Sequence, residues 1–384
     1  MIDYSLLERA IDKALSLGAD YAEARYHSHK TTSFHILNGS VVGASQWVNS
    51  GIAVRVRVGK GLGFASTQGD SWDAISDAVS RAFHAARSAS AKPWLGAEWS
   101  DDKLGVARFE VEEKERLEDH DISYKIAYVK DELKSIEEPS GIKVDTVLVA
   151  YSEDIESKVI VNSDGARIES RIPRLEVFYN LSGRAGDRRA NRWSEVGAAG
   201  GFEVLRRSGL ADKISDDLRS LSVNLLEAKS PPKGRMDVIL APEIVALSAH
   251  ESAGHPSEAD RVYGREAAQA GLSYRVKLGN GYKIGSSVVT VIDDPTIPGS
   301  LGYYLYDDEG VPARPRKLID HGVLAELLHN RETAGFAGVK SNAAARSLDF
   351  ESEPIVRMAN TYVDAGDHTF EELVEDVKEG VYIK

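Results

Sequence analysis

Asp237-Val238-Ile239-Leu240-Ala241-Pro242, followed after a short apolar segment by His250-Glu251-Ser252-Ala253-Gly254-His255-Pro256, is the stretch on which the reading of this chain turns. A short apolar strand runs into Pro242, whose fixed φ suits the first turn of a helix, and the helix carries two imidazoles around a carboxylate. Neutral nitrogen donors beside an acidic group able to take a proton from water are what a hydrolytic zinc site requires. The spacing is one residue longer than the usual HExxH. Histidines at i and i+4 stand about 40° apart around an α-helix, whereas the i and i+5 pair found here stands about 140° apart. The rings converge only if the helix widens locally, as in a π turn of about 4.4 residues. Gly254 and Pro256 flank His255 where that distortion is needed: Gly254 for its conformational freedom, Pro256 because it restricts its predecessor and ends regular hydrogen bonding. On pattern alone, two histidines near a helix C-terminus, satisfied by carbonyls, remain the alternative.

Immediately upstream, Lys229-Ser230-Pro231-Pro232-Lys233-Gly234 reads as a linker. It divides the chain into residues 1–228, a mixed α/β domain with an antiparallel sheet, and 229–384, a strand-rich domain carrying the histidine pair. The fold class is α+β. In the first part, helical periodicity marks residues 3–17, 71–91, 122–136 and 212–228. Strands are expected at 21–26, 31–37, 51–58, 144–151, 158–162, 166–170 and 175–182. Residues 93–119 read as a connection broken at Pro93, Gly96 and Gly105, with a sub-boundary expected near 93–120. His27 and His29 share one strand face and read as solvent-exposed histidines rather than ligands. Near the end, residues 369–378 have the periodicity of an ordinary packed amphipathic helix.

With 384 residues, 42% of them hydrophobic, the chain can bury a sizeable core. A net charge of −13 argues against nucleic acid as a partner, since phosphate binding needs clustered Lys and Arg. No apolar run reaches the length of a membrane span, and the first residues lack a signal-peptide pattern, so a cytoplasmic protein is expected. The absence of cysteine excludes disulfides and thiolate ligands within these residues.

The segment from His250 through Glu258-Ala259-Asp260 resembles the signature of the TldD/PmbA family of metalloproteases, in its metal-bearing TldD branch. The resemblance continues through Asp293-Asp294-Pro295, Asp307-Asp308-Glu309-Gly310-Val311-Pro312, Gly322-Val323-Leu324, Asn342-Ala343-Ala344-Ala345-Arg346 and Arg357-Met358-Ala359-Asn360-Thr361-Tyr362. It implies a zinc-type ion held by His250 and His255, with Glu251 as general base in peptide-bond hydrolysis. It also suggests Asp308, Glu309 and Arg346 as substrate-binding residues near the cleft, although residues 307–309 read equally as an exposed acidic turn. The family's third ligand is a cysteine in a C-terminal glycine-containing segment. This chain has none, so the sequence is expected to be C-terminally truncated; otherwise Glu258, Asp260, His321 and His329 are the substitutes to consider. The resemblance further implies small or unfolded polypeptide substrates, as in peptide-precursor maturation or antitoxin degradation. A homodimer, or a heterodimer with a PmbA/TldE-like subunit, is expected with it. The competing function is a non-catalytic substrate-binding subunit paired with an active homologue, against which the retained His250, Glu251 and His255 argue.

Overall fold

The longest strands run through stretches where hydrophobic alternation breaks down. The computed structural model describes residues 4–95, 98–265 and 271–384; Gly96, read above as a chain breaker, lies outside them. Helix α1 (Tyr4–Ser16) leads into β1 (Tyr21–Leu37), β2 (Ser40–Val58), β3 (Gly61–Thr67) and helix α2 (Trp72–Ala89). After β4 (Val106–Glu110) and α3 (Ile122–Lys134) come β5 (Lys143–Asn162), β6 (Arg167–Ala185), β7 (Arg188–Ala199), the single turn α4 (Glu203–Arg206) and α5 (Leu210–Leu226). Among the described residues these strands form one seven-stranded sheet in the order β3-β2-β1-β5-β6-β4, with β7 on the remaining length of β6. Only β4 is parallel to its neighbour. The short strands expected at 21–26 and 31–37 are one continuous strand, as are those at 144–151 and 158–162.

One face of this sheet holds the helices over two separate apolar clusters. At one end α1 and α2 bury Leu7, Ile11, Ile75 and Val79 against Ala22, Ala24, Val54 and Val56. At the other, α3 and α5 bury Val129, Ile214 and Leu218 against Phe34, Ile36, Val149 and Leu181. Full burial of each such large aliphatic contributes about 1.5–3 kcal/mol relative to exposure. Gly63 of β3 lets α2 lie directly on the sheet, because a Cβ there would run into the helix backbone at Ala82 and Ala86.

The opposite face is polar, yet buried, because the second half of the chain covers it. Glu23, Arg25, His27, Arg55, Glu156 and Asn162 are all buried. Arg55 bridges Glu23 and Glu309 at 2.8 Å each, Lys158 reaches Asp308 at 3.0 Å, and Asn162 donates to the Glu309 carbonyl at 3.1 Å. The expectation that His27 and His29 are solvent-exposed is thereby corrected. His27 is fully buried with Nε2 3.0 Å from Glu156, and His29 lies between Asp154 and the Leu348 carbonyl. They are enclosed because β1 is sandwiched between helices on one side and residues 348–352 on the other.

Beyond residue 236 the elements are short. Strand β8 (Asp237–Leu240) is followed by α6 (Pro242–Ala249) and, further on, α7 (Ala259–Val262). A four-stranded sheet joins β9 (Val291–Asp293), β10 (Arg316–Asp320), β11 (Val323–Leu324) and β14 (Thr361–Val363), while β12 (Ala345–Arg346) pairs with β13 (Ile355–Val356). The last strand, β15 (Gly380–Ile383), lies parallel to β8. The terminal helix, Phe370–Glu375, buries none of its residues; Phe370, Leu373 and Val374 are exposed, so the ordinary packing expected of it is not seen. Among the described residues no helix is long and apolar enough to cross a membrane.

Candidate metal centre

Helix α6 begins with Pro242 at its first turn and lies on the four-stranded sheet. Ala249 and Ala253 pack on Val291, with Val289, Ile319 and Val363 around them. Small residues four apart allow that close approach and turn the opposite side of the helix outward. From His250 to Gly254 the helix widens into a π turn, closed by the His255 N–H bonding the His250 carbonyl five residues back. The distortion expected from the i,i+5 spacing is therefore present. The role expected of Gly254 is corrected: it stays in the right-handed helical region open to any L-residue, φ −60° and ψ −72°, so conformational freedom is not what the glycine provides. It provides room, since a Cβ there would stand 2.6 Å from Met358 Sδ and 3.1 Å from Thr361 Oγ1.

A π turn shifts the carbonyls away from their usual helical donors, and side chains take up the vacancies. Tyr274 donates its hydroxyl to the Ser252 carbonyl at 2.9 Å, and Ser257 donates to the Ala253 carbonyl at 2.6 Å. The Ser257 hydroxyl in turn accepts from buried Arg275 at 2.7 Å. Pro256 follows in a tight turn, His255–Ser257, where its missing N–H costs no helical bond.

These restraints bring side-chain donor atoms of His250, Glu251 and His255 within 4.8 Å of one another. The two rings stand 4.8 Å apart and nearly perpendicular, at 87°. The cluster is open to solvent, with side-chain exposures of 49% for His250, 61% for Glu251 and 30% for His255. Two imidazoles and a carboxylate, converging on an accessible surface, fit a zinc-type ion by donor chemistry.

The substitutes considered for a third ligand are occupied elsewhere. Glu258 is fully buried and faces His255 Nδ1 at 3.2 Å and Arg261 at 2.9 Å. Asp260 accepts from the backbone N–H groups of Val356 and Arg261, and burial pushes its carboxyl up to about 6. His329 is buried against Thr333, its pKa lowered to about 4 by desolvation, and His321 is exposed beside Asp320.

Asp308 and Glu309, expected as substrate-binding residues or an exposed acidic turn, lie at the polar seam under the large sheet and do not join the histidine cluster. Asp308 is engaged by Lys158, Arg25 and Ser347, and Glu309 by Arg55 and the Arg331 N–H. Arg346 is half-buried, donates to the Met358 carbonyl at 2.9 Å and lies 5.3 Å from the Tyr304 ring centre. Their burial follows from charge: each acid meets a cation carried by the sheet, so docking neutralises both. Ser257, Tyr274 and Arg275, which hold the π turn, went unnoticed in the sequence because nothing local marks a residue whose partner is a displaced carbonyl.

Family models described as PmbA/TldA metallopeptidase match the chain in three consecutive parts: domain 1 at residues 22–86, the central domain at 110–225 and the C-terminal domain at 233–384. A metalloprotease of Methanocaldococcus jannaschii is 33% identical over 97% of this chain and 80% of its own length. One from Methanothermobacter thermautotrophicus is 34% identical over 95% of this chain and 76% of its own. A zinc metalloprotease TldD homolog of Saccharolobus solfataricus is 26% identical over 97% and 79%. Among solved structures, a putative modulator of DNA gyrase from Thermotoga maritima superposes with a TM-score of 0.76 at 20% identity, covering 99% of this chain and 81% of that one. TldE from Thermococcus kodakarensis gives 0.71 at 18% identity, covering 98% and 81%. At these identities the structural likeness speaks for the fold.

Proposed function

Since the chain belongs to the PmbA/TldD family of metallopeptidases, we propose that it is a zinc-type peptidase whose centre is the cluster His250, Glu251 and His255. The observation that carries this reading is the π turn, which sets two imidazoles and a carboxylate together on an open surface. His250 and His255 would hold the ion. When bound, such an ion acidifies water and polarises a peptide carbonyl. Glu251 sits between the two ligands in sequence and is the most exposed of the three, free to take a proton from the attacking water. The same carboxyl then delivers that proton to the amide nitrogen as the C–N bond breaks, which returns Glu251 to its starting state.

By family membership, the substrates proposed are small or unfolded polypeptides, and the working unit is a dimer, either of two copies or with a PmbA/TldE-like subunit. An extended peptide bound through main-chain hydrogen bonds to a sheet edge would account for weak sequence preference.

The test is Glu251→Gln, which keeps the shape and removes the base. Cleavage of an unfolded polypeptide should fall by about 10²–10⁴-fold while bound zinc, measured by elemental analysis, stays at the wild-type level. Cleavage at the wild-type rate would remove Glu251 as the base. Unchanged behaviour of the wild type under a chelator would favour a substrate-binding subunit instead.

A further inference from the structure

His255 has a second polar neighbour besides the cluster. Glu258, three residues on, has a side chain with no exposure at all, and its Oε1 lies 3.2 Å from His255 Nδ1. The other carboxylate oxygen, Oε2, is claimed by cations: Arg261 reaches it at 2.9 Å and 3.2 Å, and Arg357 stands 3.8 Å away. Glu258 is fixed there by its backbone. It breaks the helical path with φ −66° and ψ 115°, and the flanking Ala259 N–H and Ser257 carbonyl bond Leu328. The carboxylate therefore cannot swing outward as a ligand without dismantling a buried junction.

We infer that Glu258 is a positioning residue: it holds His255 in the tautomer protonated at Nδ1 and so leaves Nε2 as the nitrogen that takes the metal. The chemistry follows from donors and acceptors. A bare Nδ1 lone pair facing a buried carboxylate oxygen at 3.2 Å would be repulsive, while a proton between them makes a charge-assisted hydrogen bond. Arg261 Nη2 also approaches Nδ1, at 3.3 Å, and as a donor it would favour the opposite tautomer, but its shorter bond goes to Glu258 Oε2 at 2.9 Å, which leaves the anionic Oε1 as the partner that sets the ring proton. An outer carboxylate of this kind fixes ring orientation and strengthens the ligand, and its loss typically costs about 10–100-fold in metal affinity. This inference rests on the reading of His255 as a ligand, but its first measurement does not need the metal.

Glu258→Gln is the informative variant because the arginines decide which way the amide points. Its single oxygen is drawn to Arg261 and Arg357, leaving the NH₂ against Nδ1, which must then accept, so the ring proton moves to Nε2. In metal-free wild-type protein labelled with ¹⁵N-histidine, at a pH where the ring is neutral, long-range ¹H–¹⁵N correlations should show His255 protonated at Nδ1. The variant should show it protonated at Nε2, and titration with Zn²⁺ alone should give an affinity about 10–100-fold weaker than wild type. Wild-type His255 protonated at Nε2, or a Glu258→Gln affinity equal to wild type, would overturn the inference. The wild-type tautomer decides it even if the variant does not fold. A wild type with the Nδ1 proton in place that fails to bind Zn²⁺ would instead overturn the metal reading, so the two failures are told apart.

Discussion

At the scale of single residues, Asp308 shows how far a charge can be from what its neighbours in sequence suggest. Burial by itself would raise its pKa, but the charges of Lys158 and Arg25 outweigh it and hold the carboxyl well below the usual carboxylate range. Removing one member of such a buried set leaves the others charged and dry. Asp308→Ala should therefore destabilise the fold by about 3–5 kcal/mol in urea denaturation, while Asp308→Asn, which can still accept from the Ser347 N–H, should cost less. Equal effects of the two variants would mean that charge is not what matters there. None of this was legible locally. Three consecutive acids look exposed, yet Asp307 is held by backbone N–H groups, and the cations that meet Asp308 and Glu309 lie 150 and 254 residues upstream in sequence. The histidine cluster was legible because its members are adjacent in the chain and their spacing itself demanded a distorted helix.

At the scale of elements, the ends of β1 and β5 were recognisable and their middles were not, and of β2 only residues 51–58 were. Around His27 to Lys30 in β1 and Ser152 to Ser157 in β5, apolar residues no longer alternate, because there the sheet lies between its two helix-covered clusters on one side and a polar partner on the other. Period-2 patterning reports a strand with one dry face, and in these segments only Ile155 joins an apolar cluster. The π turn makes its own prediction. Gly254→Ala puts a methyl group into Met358 Sδ, so it should lower stability by about 1–3 kcal/mol and loosen Zn²⁺ binding. Met358→Ala in the same chain should restore part of both, since the obstacle is the far end of a flexible side chain. A double variant no better than Gly254→Ala would indicate that the backbone, not the space, is the constraint.

At the scale of the whole molecule, the two halves meet across groups that titrate. His29 places Nδ1 2.8 Å from the Asp154 carboxylate and Nε2 3.0 Å from the Leu348 carbonyl, so both ring nitrogens face acceptors and the bonded ring is the cation. Desolvation alone would lower its pKa, but the hydrogen bond and charge of Asp154 raise it above the ordinary 6.5. A raised folded-state value means that this contribution is complete below pH 6.5 and is lost as pH rises through the folded pKa. His27 beside it works in the opposite sense, since burial, then Lys158, depress it to about 4 and it opposes folding increasingly as pH falls below 6.5. Comparing wild type with His29→Gln isolates the first effect. The gap in urea midpoint should be widest in mild acid and narrow towards alkaline pH; a gap independent of pH would show that the ring bonds Leu348 without carrying charge.

The π turn also has a genetic meaning. One residue separates it from an ordinary helical turn, so the cluster is distinguished from an HExxH site by the length of a single codon. Substitutions along 250–255 leave that count untouched, whereas an in-frame insertion or deletion rewrites the angle between the rings at one stroke. A text search for HExxH passes over this chain, although the rings stand only 4.8 Å apart.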